Sequence, residues 1–234
     1  MPLDHETQQS VDRYARQDLP GDIEYHVRFF SFLDNDPGLM RRVGEEYYSA
    51  RYIYKLLEGL RIEDAWALRA QVQLQVQQYA SIYEACLHHL LFERCADRAE
   101  VQSLLKRATL KRWSVNNELQ RRLDSAGNAA GRSIVAAVEA TIGLSDTKVR
   151  FDAKAMTAAA IGIIDESLAE EVIEFYAARN MIHIHAELKH SAEWEWQIDL
   201  ARRAYWRLEK FRDQILRWQA SGNVLPYRPR RQDK

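Results

Sequence analysis

The chain has 234 residues, enough to bury a hydrophobic core without disulfides or structural metal ions. Its nine glycines and five prolines are fewer than a strand-rich fold needs for its turns, so the composition favours helices. The 33 basic and 34 acidic residues leave a net charge of −1, which excludes nucleic-acid binding by the charge of the whole molecule and confines it to local patches.

The sequence predicts a cytoplasmic protein that does not enter a membrane. The first ten residues are polar and acidic, without the basic and apolar stretches of a secretory signal. No run of about 18 apolar residues occurs that could cross a bilayer. The two cysteines, Cys86 and Cys95, are nine positions apart on one predicted helix, so they point in different directions and are expected to be reduced and buried.

The first predicted helices form an N-terminal helical extension, residues 1–60. An amphipathic piece over residues 22–33 is followed at residues 34–38 by a turn and helix-start signal rich in Asp, Asn, Pro and Gly. The helix that begins there is expected to end near Gly59. Its apolar stripe consists of Leu39, Val43, Tyr47, Ala50, Tyr54 and Leu57.

Residues 61–222 are predicted to form an antiparallel helical bundle, so the fold class is all-α. The longest predicted helix, residues 63–96, carries an apolar seam whose spacings alternate between four and three, the period at which two helices pack lengthwise. The seam consists of Val72, Val76, Tyr79, Tyr83, Cys86 and Leu90. We expect this helix to be the spine of the bundle.

The patterns that follow this helix are less uniform. Residues 100–118 continue a weaker helical pattern, residues 124–133 are typical of an exposed loop, and residues 147–151 are interpreted as a connection. Three further helices are predicted: residues 152–164 after a cap at Asp152, a helix from Ser167 whose Glu170 completes a capping box, and residues 192–220. The tail, residues 223–234, is basic and expected to be flexible.

The helix from Ser167 carries a positive charge in its apolar seam. Arg179 continues the spacing set by Leu168, Val172 and Phe175. Burying a guanidinium costs several kcal/mol unless it is paired or lines a wet cleft, so Arg179 needs a partner carboxylate or a functional reason. Around an ideal helix, His183 lies roughly 40° from Arg179 and His185 roughly 120°. A regular helix therefore favours His183 as the histidine beside Arg179, whereas a helix that ends or bulges here favours His185.

Residues 176–185 resemble the signature of the HEPN superfamily, the higher eukaryotes and prokaryotes nucleotide-binding domains. That signature is an arginine, usually followed by a polar residue such as Asn180, with a histidine after four to six intervening residues. Arg179 and His185 have five intervening residues and fit; Arg179 and His183 have three. Some toxins of the superfamily carry a tyrosine two residues after the histidine, whereas this chain has Glu187.

The resemblance implies both a fold and a function. It implies a helical bundle over roughly residues 63–220 that cleaves RNA without a metal ion or cofactor, frequently as a toxin or phage-defence effector. It also implies a homodimer that brings two motifs together, and a protein antitoxin or other regulator as a further partner. The site residues would be Arg179, Asn180 and His185, with His183 as an alternative or second histidine.

The residue types suit this chemistry independently of the family name. A histidine with a pKa near 6.5 can take the proton of a ribose 2'-hydroxyl or donate one to the leaving 5'-oxygen, which is worth about 10² to 10⁴ in rate. An arginine can hold the scissile phosphate and stabilise the charge that develops on its oxygens. Asn180 can orient either group.

Two other sets of residues are candidates for contact with RNA. Tyr48, Arg51, Tyr52 and Lys55 combine rings that stack on bases with cations that contact phosphates, which makes them a weak candidate surface. A second basic region consists of Arg107, Lys111, Arg112, Arg121 and Arg122. An ordinary solvated helix face is the commoner explanation of such residues, and it stays open for both sets.

A structural explanation of the same residues stays open. Arg179 can form an ion pair with a glutamate of a neighbouring helix, in which case the chain is a non-catalytic helical binding or scaffold protein. Glu84 with His88, and Glu187 with His190, resemble metal-binding pairs of helical bundles. Only the second pair has the spacing of a di-iron motif, so no metal site is predicted.

Overall fold

The computed structural model describes residues 2–17, 19–60, 64–180 and 194–222, and for residues 194–198 the backbone alone. The prediction of an all-α helical bundle is confirmed, since helices dominate the described residues. Among these residues no helix combines the length and the apolar character that crossing a bilayer requires. Both cysteines are buried and unpaired, as predicted.

Helices and one small sheet make up the described chain. The helices are α1 His5–Gln17, α2 Ile23–Phe29, α3 Pro37–Gly59, α4 Ala65–His89, α5 Ala99–Leu104, α6 Asn117–Ala129, α7 Phe151–Ala160, α8 Glu166–Asn180 and α9 Trp194–Ala220. The strands are β1 Lys106–Arg112 and β2 Ala137–Gly143. Short 3₁₀ turns occur at Ser31–Leu33 and Asp146–Lys148, and α4 continues into a π-helical turn over Leu90–Arg94.

Side-chain caps explain where three of these helices begin. Asp22 accepts from the backbone N–H of Tyr25 at the start of α2, and Asp36 caps α3 with Pro37 in its first turn, as the sequence predicts. In α8 the cap is Asp165, whose carboxylate accepts from the N–H of Leu168 at 2.7 Å. The predicted capping box from Ser167 is therefore wrong by two positions, because an aspartate was available one step before the helix.

The other helix bounds differ from the predictions at their ends. The helix predicted over residues 63–96 is regular from Ala65 to His89 and then widens into the π-helical turn. The helix predicted over residues 152–164 runs from Phe151 to Ala160, because Gly162 adopts a φ of +80° that terminates it. These shifts leave the apolar stripes in place.

The core surrounds α4, which packs against α3, α7, α8 and α9. All six predicted seam residues of α4 are buried. At the centre Tyr83 is fully buried, its ring lies 5.0 Å from that of Phe211 on α9, and its hydroxyl donates to the carbonyl of Ala204 at 2.7 Å. The core cluster also contains Phe30 and Tyr47, which belong to the predicted extension over residues 1–60.

The region between α5 and α7 differs most from the sequence-based prediction. Of residues 100–118, predicted as a weak helix, only the part within α5 and the first residues of α6 are helical, and β1 lies between them; residues 124–133, predicted as a loop, begin inside α6. β1 and β2 pair antiparallel, with Lys106 opposite Gly143 and Arg112 opposite Ala137. The helix α6 connects the two strands. We call residues 106–143 the arm. Both strands are almost wholly exposed, so they lack the alternating apolar pattern by which a half-buried strand is recognised.

Gly44 provides a test of the packing of α2 on α3. A Cβ added at Gly44 would lie 2.6 Å from the Cα of Val27, a backbone atom that cannot rotate away. We expect Gly44→Ala to lower the free energy of unfolding by about 1–3 kcal/mol, measured by urea denaturation. The control is Gly38→Ala, where the nearest atom is Asp36 Oδ1 at 3.4 Å. Equal stability of the two variants would contradict this close approach.

Candidate functional site

Arg179 lies in the last turn of α8 and faces α4. Its Nη1 donates to Oε2 of Glu84 at 2.5 Å. The Tyr176 hydroxyl, one turn earlier, donates to the other oxygen of Glu84 at 3.4 Å. The Arg179 guanidinium carbon also lies 5.2 Å from the centroid of the Tyr176 ring. Glu84 therefore fixes the position of both side chains, and it is the carboxylate that the seam position of Arg179 requires.

The backbone beneath this group is held by buried rings. The Tyr176 ring stacks on Phe151 of α7, with centroids 4.3 Å apart and planes 18° apart. Phe175, the neighbour of Tyr176, is fully buried and packs beside Tyr83 of α4. Three helices thus meet at this point, and the rotation of α8 follows from the burial of Phe175.

The Arg179–Glu84 ion pair is only partly shielded from water. The two side chains keep 29% and 30% of their surface exposed, so screening limits the contribution of the pair to stability to about 1 kcal/mol or less. Within the described residues, only Nη1 of the guanidinium has a hydrogen-bond partner. The Nη2 and Nε donors of Arg179 are directed to no protein acceptor there, so they can still bind an anion.

A second cation is buried close to Glu84. Lys154 of α7 is 3% exposed, and its Nζ lies 3.2 Å from Nδ1 of His88. Burial lowers the pKa of Lys154, and the nearby carboxylates of Glu84 and Asp146 oppose that shift. When Lys154 is protonated it can only donate, so that Nδ1 of His88 is then the acceptor. The other ring nitrogen of His88, Nε2, lies 3.9 Å from Asp146 Oδ2.

These groups line an open cleft of about 520 Å³ between α4, α7 and the 3₁₀ turn before α7. Its wall carries three carboxylates and one ammonium group together with two imidazoles: Asp36, Glu84, Glu93, Lys154, His88 and His89. The volume lies within the range of small-ligand sites, roughly 300–1,000 Å³. Arg179 does not line the cleft itself, but its partner Glu84 does, so the guanidinium is joined to the cleft wall through that carboxylate.

The predicted motif is described only in part. Arg179 and Asn180 close α8, and Asn180 is exposed. His183 and His185 lie outside the described residues, as do Glu187 and His190. The choice between the two motif histidines therefore stays a prediction.

The structure places Tyr48 and Tyr52 against α1. The Tyr48 hydroxyl accepts from Nη1 of Arg16 at 2.9 Å, and the Tyr52 hydroxyl donates to Asp12 at 2.9 Å. That hydrogen bond to the carboxylate is the main cause that raises the pKa of Tyr52. Both rings are half-buried between helices of the same chain.

Arg51 and Lys55 have a different environment from the two tyrosines. The Arg51 guanidinium lies 4.2 Å over the ring of Tyr205 on α9, and Lys55 forms an ion pair with Glu58 at 2.6 Å. Arg51 and Tyr205 also line a cavity of about 340 Å³, where the buried Oε1 of Gln75 has no hydrogen-bond partner among the described residues. The four weak candidates for RNA binding thus do not form one surface: the two tyrosines contact α1, Arg51 contacts α9, and Lys55 pairs within α3.

Lys154 is a site residue that was not predicted from the sequence. On α7 it continues the buried positions Phe151, Ala155 and Ala158, so it is a charge in an apolar stripe, like Arg179. A cation at a seam position is therefore the sequence signal by which Lys154, too, could have been found. Within the described ranges no three His, Cys, Asp or Glu side chains are grouped as metal ligands.

Comparisons with family models, curated proteins and solved structures give no match to this chain. The resemblance of residues 176–185 to the HEPN signature therefore depends on those residues alone.

The buried charge of Lys154 predicts a pH-dependent stability. Because its pKa is lowered in the folded protein, the unfolded chain binds one more proton in the interval between that lowered value and 10.5. The free energy of unfolding should rise with pH across this interval. Lys154→Met removes the dependence, so we expect it to be more stable than wild type at pH 7, by a margin that shrinks towards pH 10.5.

Urea denaturation at pH 7 and pH 10 measures this margin. The matched control is Lys148→Met, which removes the same charge from an exposed position. If the difference in free energy of unfolding between Lys154→Met and wild type does not change with pH, the desolvated charge of Lys154 is not what destabilises the wild-type protein.

Proposed function

We propose that this protein is a HEPN-like, metal-independent endoribonuclease that acts as a toxin or phage-defence effector. The observation that carries the proposal is the placement of Arg179. It lies at the end of α8 beside an open cleft, with two guanidinium nitrogens that have no protein acceptor among the described residues. The Nε and Nη2 groups of an arginine in this position can donate two parallel hydrogen bonds to the oxygens of one phosphodiester.

The reaction needs one base, one acid and a stabilised phosphate. The ribose 2'-oxygen attacks phosphorus, the bond from phosphorus to the 5'-oxygen breaks, and the products are a 2',3'-cyclic phosphate and a 5'-hydroxyl. One histidine, His185 or His183, takes the 2'-hydroxyl proton, and a second histidine donates a proton to the 5'-oxygen. Arg179 stabilises the charge on the non-bridging oxygens, and Asn180 orients the phosphate. No metal ion or cofactor enters these steps.

Glu84 and Tyr176 act as positioning residues for Arg179. In the absence of RNA, Glu84 neutralises the guanidinium and holds it at the margin of the cleft. A bound phosphate then takes the two remaining guanidinium nitrogens. The ammonium group of Lys154 adds one positive charge to a wall that also carries Asp36, Glu84 and Glu93, so binding of the phosphate depends on the guanidinium of Arg179.

The proposed partners follow from the same chemistry. RNA is the substrate, and a homodimer supplies two motifs, so that one histidine acts as base while the other acts as acid. A protein antitoxin or regulator restrains the activity in the cell.

Cleavage of total RNA and tRNA by the purified protein in EDTA tests the proposal. Arg179→Ala and the double variant His183→Ala/His185→Ala are each expected to lower the rate at least 10²-fold, in line with the usual value of acid–base and phosphate contacts. Glu84→Gln is expected to lower the rate less, because it loosens Arg179 without removing it.

The matched control is Arg207→Ala. Arg207 of α9 also forms an ion pair between helices, with Glu171 of α8. Arg207→Ala therefore removes an ion pair comparable to Arg179–Glu84, but away from the cleft. We expect this variant to keep its activity. Equal loss in Arg207→Ala and Arg179→Ala would assign the effect to folding, and RNA that stays intact with wild-type protein would reject the nuclease.

One observation favours a second candidate, a non-catalytic helical binding or scaffold protein. Arg179 has a glutamate partner on a neighbouring helix, and such a pair accounts for a charged seam residue without any chemistry. This candidate predicts that Arg179→Ala lowers the free energy of unfolding, whereas Arg179→Met together with Glu84→Leu restores it, and that no variant or wild-type protein cleaves RNA.

A further inference from the structure

The arm, residues 106–143, has almost no interior. Of its 38 residues only Gly127 is buried, and the core cluster contains none of them. Its base is closed by the N–H of Leu144, which donates to the carbonyl of Leu105 at 2.8 Å. An isolated two-stranded ribbon is marginally stable in water, so an element of this kind gains most from a ligand that covers it.

The arm also concentrates positive charge. It has seven basic and three acidic residues, a net charge of +4, so the rest of a chain that totals −1 carries −5. The basic residues are Lys106, Arg107, Lys111, Arg112, Arg121, Arg122 and Arg132. Within the described part of the chain none of the seven forms an ion pair, whereas arginines elsewhere, such as Arg179, Arg203 and Arg207, are paired with glutamates.

The strand register distributes these cations over both faces of the ribbon. Arg107 and Lys111 are on one face, opposite Ile142 and Val138 of β2, and Arg112 is on the other. Seven residues of antiparallel strand extend about 23 Å, so the cations form a linear array rather than a single cluster. A linear array suits the repeating charge of a polyanion.

Aromatic and apolar surface accompanies the charge. Trp113 follows β1 directly, its backbone N–H donates to the carbonyl of Ala136 at 3.0 Å, and 57% of the residue is exposed. The hydrogen bond fixes the backbone of Trp113 at the end of the ribbon while its ring stays accessible. The other exposed large apolar residues of the arm are Leu110, Leu119, Ile134, Val135, Val138 and Ile142.

We infer that the arm is a binding site for single-stranded RNA, whose phosphates contact the unpaired cations while a base stacks on Trp113. When the seven cations contact RNA phosphates, they release the counterions bound to the RNA, which favours binding. The contacts stay exposed to water, so the cations do not pay the desolvation cost that burial in a protein interface would impose. A protein partner would have to supply that many acidic groups, and interface cores are depleted in charged residues. The base of the arm joins α5, which packs against α7, a wall of the cleft.

This inference deepens the proposed function, because it specifies how the substrate of the nuclease is held, and it is tested without catalysis. The probe is a fluorescein-labelled, single-stranded 20-nucleotide RNA, followed by fluorescence anisotropy with Arg179→Ala protein, so that cleavage does not interfere. Adding Arg107→Ala/Lys111→Ala/Arg112→Ala is expected to weaken binding at least tenfold at 0.1 M salt. The slope of log K against log salt should fall by about 2, at about 0.7 per phosphate contact.

A second variant tests the stacking. In the same background, Trp113→Ala is expected to weaken binding about fivefold or more while leaving the salt slope unchanged. The matched controls are Arg13→Ala/Arg28→Ala/Arg217→Ala, which removes three exposed charges outside the arm and the cleft, and Trp206→Ala, which removes an exposed tryptophan of α9. Both controls should bind RNA as the background protein does.

Unchanged affinity in the arm variants would overturn the inference. So would arm variants that convert a dimer to a monomer in sedimentation velocity without changing RNA affinity, because a second copy of the chain would then be what covers the arm. The two proposals fail separately. RNA binding that depends on the arm, with no cleavage by wild-type protein, rejects the nuclease alone, and cleavage that depends on Arg179, with arm-independent binding, rejects the arm alone.

Discussion

The burial of Tyr83 at the centre of α4 is the constraint on which the rest of the structure depends. Its ring packs against Phe175 of α8 and Phe211 of α9, and its hydroxyl satisfies a backbone carbonyl of α9. With Tyr83 fixed inward, helical geometry places the next residue, Glu84, at the edge of the same interface, and the residue one turn later, His88, along the same side. The core thus sets the position of the cleft.

The apolar core was largely predictable from the sequence, because the seam of α4 repeats at the helical period over five turns. The sequence also indicated that Arg179 needs a carboxylate, but it could not identify Glu84, since 95 positions separate the two residues and only the packing of α4 on α8 brings them together. Lys154 had the same local signal as Arg179. The arm had no such signal. Even its nearest paired residues, Arg112 and Ala137, are 25 positions apart, and neither strand has a buried face to impose an alternating pattern.

The net charge of −1 conceals a separation of charge along the chain. Outside the arm, many arginines are paired with carboxylates on the same or neighbouring helices, so the local field there is weak. The arm's cations are without such partners in the described structure, and their field extends into solvent over about one Debye length, roughly 8–10 Å. Under the two proposals, the long-range attraction of RNA belongs to the arm and the chemistry on it belongs to the end of α8.

Two buried or half-buried cations near one cleft are difficult to explain by stability alone. An apolar residue at Lys154 or Arg179 would avoid the desolvation of a charge, and replacing a buried ion pair by well-packed apolar residues is often neutral or stabilising. The charges persist here beside Glu84, whose single carboxylate borders both of them. The cleft wall also carries the carboxylates of Asp36 and Glu93, so the wall as a whole is not positively charged. The proposed contact with a phosphodiester therefore depends on the edge of the Arg179 guanidinium that Glu84 leaves without a partner in the described structure, and not on the field of the cleft.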